Sequence, residues 1–88
     1  MEEKLLSIIR HYKLKPQLKH MVGEVYELIE AILILDREHI YEEYADVQVM
    51  LQQIKALYHL DDSIINEIME LKVDRQLRRI ADELEKRE

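Results

Sequence analysis

The sequence contains no cysteine, tryptophan or phenylalanine, and only one glycine and one proline in 88 residues. Without cysteine there is no disulfide framework, no thiolate zinc site and no cysteine nucleophile, so any metal must be held by oxygen or imidazole. With so little glycine and proline there is almost no punctuation for tight turns, while the dominant Leu, Ile, Glu, Lys, Gln, Arg and Ala are good or tolerable helix formers. An all-α fold is expected. No apolar run approaches the roughly 18 residues that would suggest a membrane span, and the start Met1-Glu2-Glu3-Lys4 is acidic where a signal peptide is basic. A cytoplasmic location and no membrane partner are therefore expected. Basic residues are in deficit, 13 against 19 acidic ones, for a formal net charge of −6. Affinity for nucleic acid rests on neutralising phosphates with Lys and Arg, so nucleic acid is not an expected partner either.

What is present is the balance of a folding chain, 48% hydrophobic and 36% charged. The length fits a single domain over residues 1–88, with its core at about 16–80. So small a domain buries only a modest share of its surface, and help from a partner chain is expected.

Leu5, Ile8, Ile9 and Tyr12 mark a first helix over Glu2–Tyr12. Lys13–Lys15 should end it, because the residue before Pro16 is biased out of the helical region, whereas Pro16 suits the first turn of a second helix. In that helix Leu18, Val22, Val25, Ile29 and Ile32 follow a 4-3-4-3 spacing, flanked by Met21, Leu28 and Leu35 on one side and Tyr26 and Leu33 on the other. The arc is wider than one packing seam needs, which points to a dimer interface beside an internal core. After the polar break Asp36-Arg37-Glu38, a third helix runs from His39 to about Leu60 on Ile40, Tyr44, Val47, Leu51, Ile54 and Tyr58. Asp61, Asp62 and Ser63 then offer caps for a fourth helix, carrying Ile65, Met69, Val73, Leu77, Ile80 and Leu84 and fraying after Ala81. The expected assembly is an antiparallel hairpin of helices two and three, with shorter terminal helices, associating as a helical-bundle dimer or tetramer.

Glu24 and Glu27 stand three apart on the second helix, and Glu43 and Asp46 three apart on the third. Each pair shares one helix face and can grip one ion; in a hairpin the pairs can face each other as a four-carboxylate cage. Solvated acids usually have Lys or Arg three or four residues away, because like charges at that spacing cost about 0.2–0.5 kcal/mol per pair and opposite charges gain it. None of these four has such a neighbour. A bound cation is the economical explanation, and an all-oxygen ligand set suits magnesium, with manganese as a substitute.

On the fourth helix Lys72, Arg75 and Arg79 share a face. Arg78 has Asp74 and Asp82 within reach for ion pairs, and Arg79 has Asp82 and Glu83, but Lys72 and Arg75 have none, leaving them for acids of another helix or for a ligand's phosphates. His20 and His39 each precede an acid of the quartet by four residues, a supporting position. The five tyrosines, Tyr12, Tyr26, Tyr41, Tyr44 and Tyr58, read mostly as core or interface side chains. The Glu-x-x-His of di-iron carboxylate bundles is absent, which lowers an oxidase reading, and there is no phosphate loop, nucleophile elbow or zincin helix.

The string Gln17-Leu18-Lys19-His20-Met21-Val22-Gly23-Glu24-Val25-Tyr26-Glu27-Leu28, followed by Glu43-Tyr44-Ala45-Asp46-Val47, resembles the MazG-like branch of the all-α nucleoside triphosphate pyrophosphohydrolases. That family's motif is E-x-x-E, a variable spacer, then E-x-x-D, and Glu24, Glu27, Glu43 and Asp46 stand at its four positions. Lys72-Val73-Asp74-Arg75 is similar to the family's phosphate-contacting basic segment, so the resemblance extends over roughly Gln17 to Arg79. Gly23 stands where the family often has a further Glu. The resemblance implies a magnesium-dependent hydrolase that converts a nucleoside triphosphate to the monophosphate and pyrophosphate. Glu24, Glu27, Glu43 and Asp46 would be metal ligands, Glu27 or Glu24 the base, and Lys72, Arg75 and Arg79 the phosphate contacts. It also implies a dimer or dimer of dimers whose sites are completed by neighbouring protomers. The competing expectation is a non-catalytic helical module that dimerises or binds a nucleotide or a partner.

Overall fold

A computed structural model of the chain, describing residues 1–87, has four helices and no strand among those residues. They are α1 (Glu2–Tyr12), α2 (Leu14–Leu33), α3 (Arg37–Tyr58) and α4 (Asp62–Lys86). Lys13 alone breaks the chain between α1 and α2, at φ 74°. Pro16 therefore falls within the first turn of α2, where its missing N–H would have had no intrahelical partner. At the start of α3 Asp36 accepts the His39 N–H at 3.3 Å, and at the start of α4 Asp61 accepts the Ser63 N–H at 2.8 Å. The fourth helix continues past the expected fraying point at Ala81 to Lys86.

The scarcity of glycine has a visible cost. Three non-glycine residues, Lys13, Leu35 and His59, adopt positive φ at the three breaks, a conformation in which an L side chain crowds its own carbonyl. The glycine the chain does have, Gly23, lies mid-helix in α2, and a Cβ placed there meets nothing within 4 Å. Mid-helix glycine costs roughly 0.5–1 kcal/mol relative to alanine. Gly23→Ala is thus expected to raise the melting temperature by a few degrees, measurable by circular dichroism; a lowered one would show that something packs against that backbone.

Helices α1, α2 and α3 pack together, α2 most extensively on α3. Gln17, near the start of α2, meets Gln53, near the end of α3, and Glu27 meets Glu43 further along. The buried apolar side chains are Leu5 and Ile9 of α1, Ala31 of α2, and Met50 and Ala56 of α3. This core differs from the expected one. Along α2 the seam residues Leu18, Val22, Ile29 and Ile32 are exposed and Val25 is half-buried, while Gln17 and Ala31 are buried. On α3, Tyr44, Leu51 and Tyr58 are likewise exposed and Met50, Gln53 and Ala56 are buried. All five tyrosines lie outside the core of the single chain.

Helix α4 packs against none of the other three and has no buried residue; an ion pair at its first turn, Lys55 Nζ to Asp62 Oδ1 at 2.9 Å, ties it to α3. The radius of gyration is 17.0 Å, against about 12 Å for a compact chain of this length. The accessible surface is 7807 Å², about 2,300 Å² more than the roughly 5,500 Å² typical of a folded monomer of this mass. No helix among the described residues is long and apolar enough to cross a membrane.

Candidate metal centre

Where the middle of α2 crosses α3, one carboxylate oxygen from each of Glu24, Glu27 and Glu43 lies within 4.8 Å of the others. Glu24 and Glu27 are adjacent turns of α2, and Glu43 comes from the facing turn of α3, so the cluster is made by the helix pairing and not by either helix alone. Glu24 and Glu43 are partly buried and Glu27 is exposed. Asp46, one turn beyond Glu43, stays outside the tight group. Its charge still reaches Glu27 and Glu43 and helps to raise both.

Among the described residues no Lys or Arg forms an ion pair with the cluster. The ion pairs among the described residues are His20 with Glu24, His39 with Asp36, and Lys55 with Asp62. His20 Nε2 stands 3.2 Å from Glu24 Oε1, the supporting position expected of it. His39 instead turns to Asp36, at 2.9 Å, although it lines a small hollow with Glu27, Glu30 and Glu43. Two oxygens, Glu24 Oε2 and Glu43 Oε2, are buried without any hydrogen-bond partner. A buried carboxylate oxygen left unpaired is costly. Two of them beside a third acid offer hard oxygen donors that could hold a metal ion.

The protonation behaviour agrees with that reading. The Glu27 carboxyl is pushed above the ordinary glutamate range, first by its hydrogen bond with Glu43 and then by the charge of Glu43. Glu43 is pushed up first by desolvation and then by its hydrogen bond with Glu24. Like charges crowded at this distance keep a proton between them when no cation is present. A carboxyl raised on folding contributes its stability fully below its unfolded value and loses it as pH rises through its folded value. With EDTA present, the melting temperature is therefore expected to fall as pH rises from about 4.5 towards neutrality. Millimolar Mg²⁺ should restore it near pH 8 and change little near pH 4.5. A profile indifferent to Mg²⁺ at both ends would contradict the cluster's role as a cation site.

The expected basic contacts lie elsewhere in the single chain. Lys72, Arg75 and Arg79 are exposed on α4, which meets α3 through the Lys55–Asp62 ion pair at its first turn and packs on neither α2 nor α3, so one chain does not bring them to the acids. The ion pairs expected of Arg78 with Asp74 or Asp82, and of Arg79 with Asp82 or Glu83, are not formed.

Beside the cluster, on the Asp46 side, α1, α2 and α3 enclose a cleft of about 530 Å³ whose walls include Tyr12, Gln17, His20, Asp46, Met50 and Gln53. The buried amide pair in this wall was not anticipated from the sequence. Glutamine at helix positions reads as surface, and the usable signal is that Gln17 and Gln53 fall on the same inward faces as Ala31 and Ala56. No known protein family, no curated protein and no solved structure matches this chain.

Proposed function

We propose that this protein is a magnesium-dependent nucleotide pyrophosphohydrolase of MazG-like type, cleaving a nucleoside triphosphate to the monophosphate and pyrophosphate. The observation that carries the reading is the group of Glu24, Glu27 and Glu43, unpaired by any Lys or Arg and holding two buried, unpartnered oxygens. A divalent cation there would polarise phosphate oxygens and offset the charge that builds on them in phosphoryl-group displacement.

The protein's own residues divide the work by burial. Glu24 and Glu43, fixed in the α2–α3 contact, would hold the cation together with Glu27, and Asp46 would extend the oxygen set along α3. Glu27 is the member of the group open to water, which makes it the candidate to accept the proton of an attacking water, with Glu24 as the alternative base. His20 orients Glu24 through their contact. Lys72, Arg75 and Arg79 would steady the departing pyrophosphate, and in this reading they come from α4 of a neighbouring copy.

Two features support an assembled form, an antiparallel α2–α3 hairpin built into a dimer or dimer of dimers. Most of the apolar seam residues of α2 and α4, and Tyr44, Leu51 and Tyr58 of α3, are exposed. The surplus surface of about 2,300 Å² per chain is of the size that obligate interfaces bury. The same features favour a second reading, a non-catalytic helical module that dimerises or binds a nucleotide or partner protein. Pyrophosphate release from nucleoside triphosphates separates the two. Release that requires Mg²⁺ and stops with EDTA supports the hydrolase; a folded oligomer that leaves every triphosphate intact supports the module.

A further inference from the structure

Gln53 is 2% exposed and Gln17 7%, and buried amides are costly unless their polar atoms are satisfied. Gln17 Nε2 donates to Gln53 Oε1 at 2.9 Å and also meets the Met50 sulfur at 3.8 Å. That bond fixes the two amides. Gln17 keeps its carbonyl oxygen as a free acceptor and Gln53 keeps its NH₂ as a free donor. The only side-chain polar atoms both buried and unpartnered among the described residues are Glu24 Oε2 and Glu43 Oε2. Both residues line the cleft, Gln17 with 7% and Gln53 with 2% of its surface left exposed, so the spare atoms meet the cleft only at its inner wall.

The cleft thus presents an uncharged acceptor and an uncharged donor side by side. Met50 lies in the wall and Tyr12, 57% exposed, stands at the rim. Its volume of about 530 Å³ lies in the ordinary range for small-molecule sites. An apolar slot with a neutral donor and acceptor suits a flat heterocycle that carries its own donor next to an acceptor, which is the edge of a nucleobase; glutamine amides and aromatic or apolar stacking partners read bases elsewhere. A carboxylate or phosphate, which only accepts, would leave the free acceptor of Gln17 unanswered, and a hydrocarbon would answer neither amide. At its other end the cleft reaches Asp46 and His20, and His20 touches Glu24. A base held by the amides would have its phosphates at the acid cluster.

We propose that this cleft is the nucleobase subsite and that Gln17 and Gln53 are its specificity-determining residues. The proposal rests on the nucleotide reading of the acid cluster, and its test uses ligands without phosphate so that the two can fail separately. Adenosine, inosine, cytidine and uridine are titrated into ¹⁵N-labelled protein with EDTA present, following the side-chain amide signals of Gln17 and Gln53, assigned from Gln17→Met and Gln53→Met spectra. At least one nucleoside is expected to shift both signals saturably, and each substitution, close to isosteric and removing one hydrogen-bonding amide, to weaken binding by about tenfold. In turnover, Gln17→Met or Gln53→Met should narrow the spread of kcat/KM among the bases. The proposal is overturned if no nucleoside moves these signals at about 10 mM, or if binding is unchanged in whichever variant keeps its helical content. Nucleoside binding without any metal-dependent triphosphate cleavage would support the subsite and count against the hydrolase.

Discussion

Glu43→Gln is expected to abolish Mg²⁺-dependent pyrophosphate release, by about 10³-fold or more, while making the metal-free protein more stable. Glu43 is the one acid that α3 contributes to the tight cluster, and it faces Glu24 and Glu27 across the helix contact. In the proposed function, removing its charge would take away a cation ligand, a loss that would fall on the reaction. The same change relieves the desolvation and like-charge crowding that hold Glu43 and Glu27 above their ordinary range, a gain that falls on folding. Opposite signs in the two readouts distinguish a functional acid from a structural one, since a structural carboxylate would lose stability. Glu42, its sequence neighbour, lies outside the cluster, and Glu42→Gln should stay within about twofold of the parent in both respects. Kinetic assay of released pyrophosphate and thermal melting with EDTA provide the comparison.

In the proposed assembly, Leu77→Asp is expected to weaken association by roughly two to three orders of magnitude, a hot-spot-sized loss. Leu77 lies in the α4 stripe with Met69, Val73, Ile80 and Leu84, all about half exposed or more in the single chain. Within one chain the substitution touches nothing and should cost little. In an assembly that covers the stripe it would bury a lone carboxylate. Sedimentation analysis of the two proteins at matched concentrations checks this. A parent protein that runs as a helical monomer at tens of micromolar would contradict the assembled form. If Lys72, Arg75 and Arg79 serve a neighbour's acids, Leu77→Asp should lose activity along with association, and high protein concentration should rescue both.

Much of this architecture was legible in the amino-acid pattern. The extent of α1 follows from its apolar spacing, and the break before α2 from Pro16, although the chain turns at Lys13 and lets the proline sit inside the new helix. The acidic centre was legible through what its members lack, since none of the four has a basic residue at helical spacing. Three of them converge, and Asp46 stands slightly apart. Two things were hidden. Apolar spacing shows that a helix face wants cover but not whether the cover is internal. Most of the α2 seam and alternate members of the α3 seam stay exposed, and the buried positions include the small side chains Ala31 and Ala56, which let helices approach closely. The Gln17–Gln53 bond was hidden for a related reason. Burying either amide alone is unfavourable, and only the pairing of two helices makes both acceptable.

The claim on which the account turns is that Glu24, Glu27, Glu43 and Asp46 hold a divalent cation. Its most direct test is an electron paramagnetic resonance titration of Mn²⁺ into the metal-free protein, with Glu43→Gln in parallel. The account requires the signal of free aqueous Mn²⁺ to be suppressed saturably by the parent protein, restored by competing Mg²⁺, and left undiminished by the variant. A free-ion signal that grows with every addition to the folded parent protein would mean that the acids are no metal centre, and the hydrolase reading would fall with it.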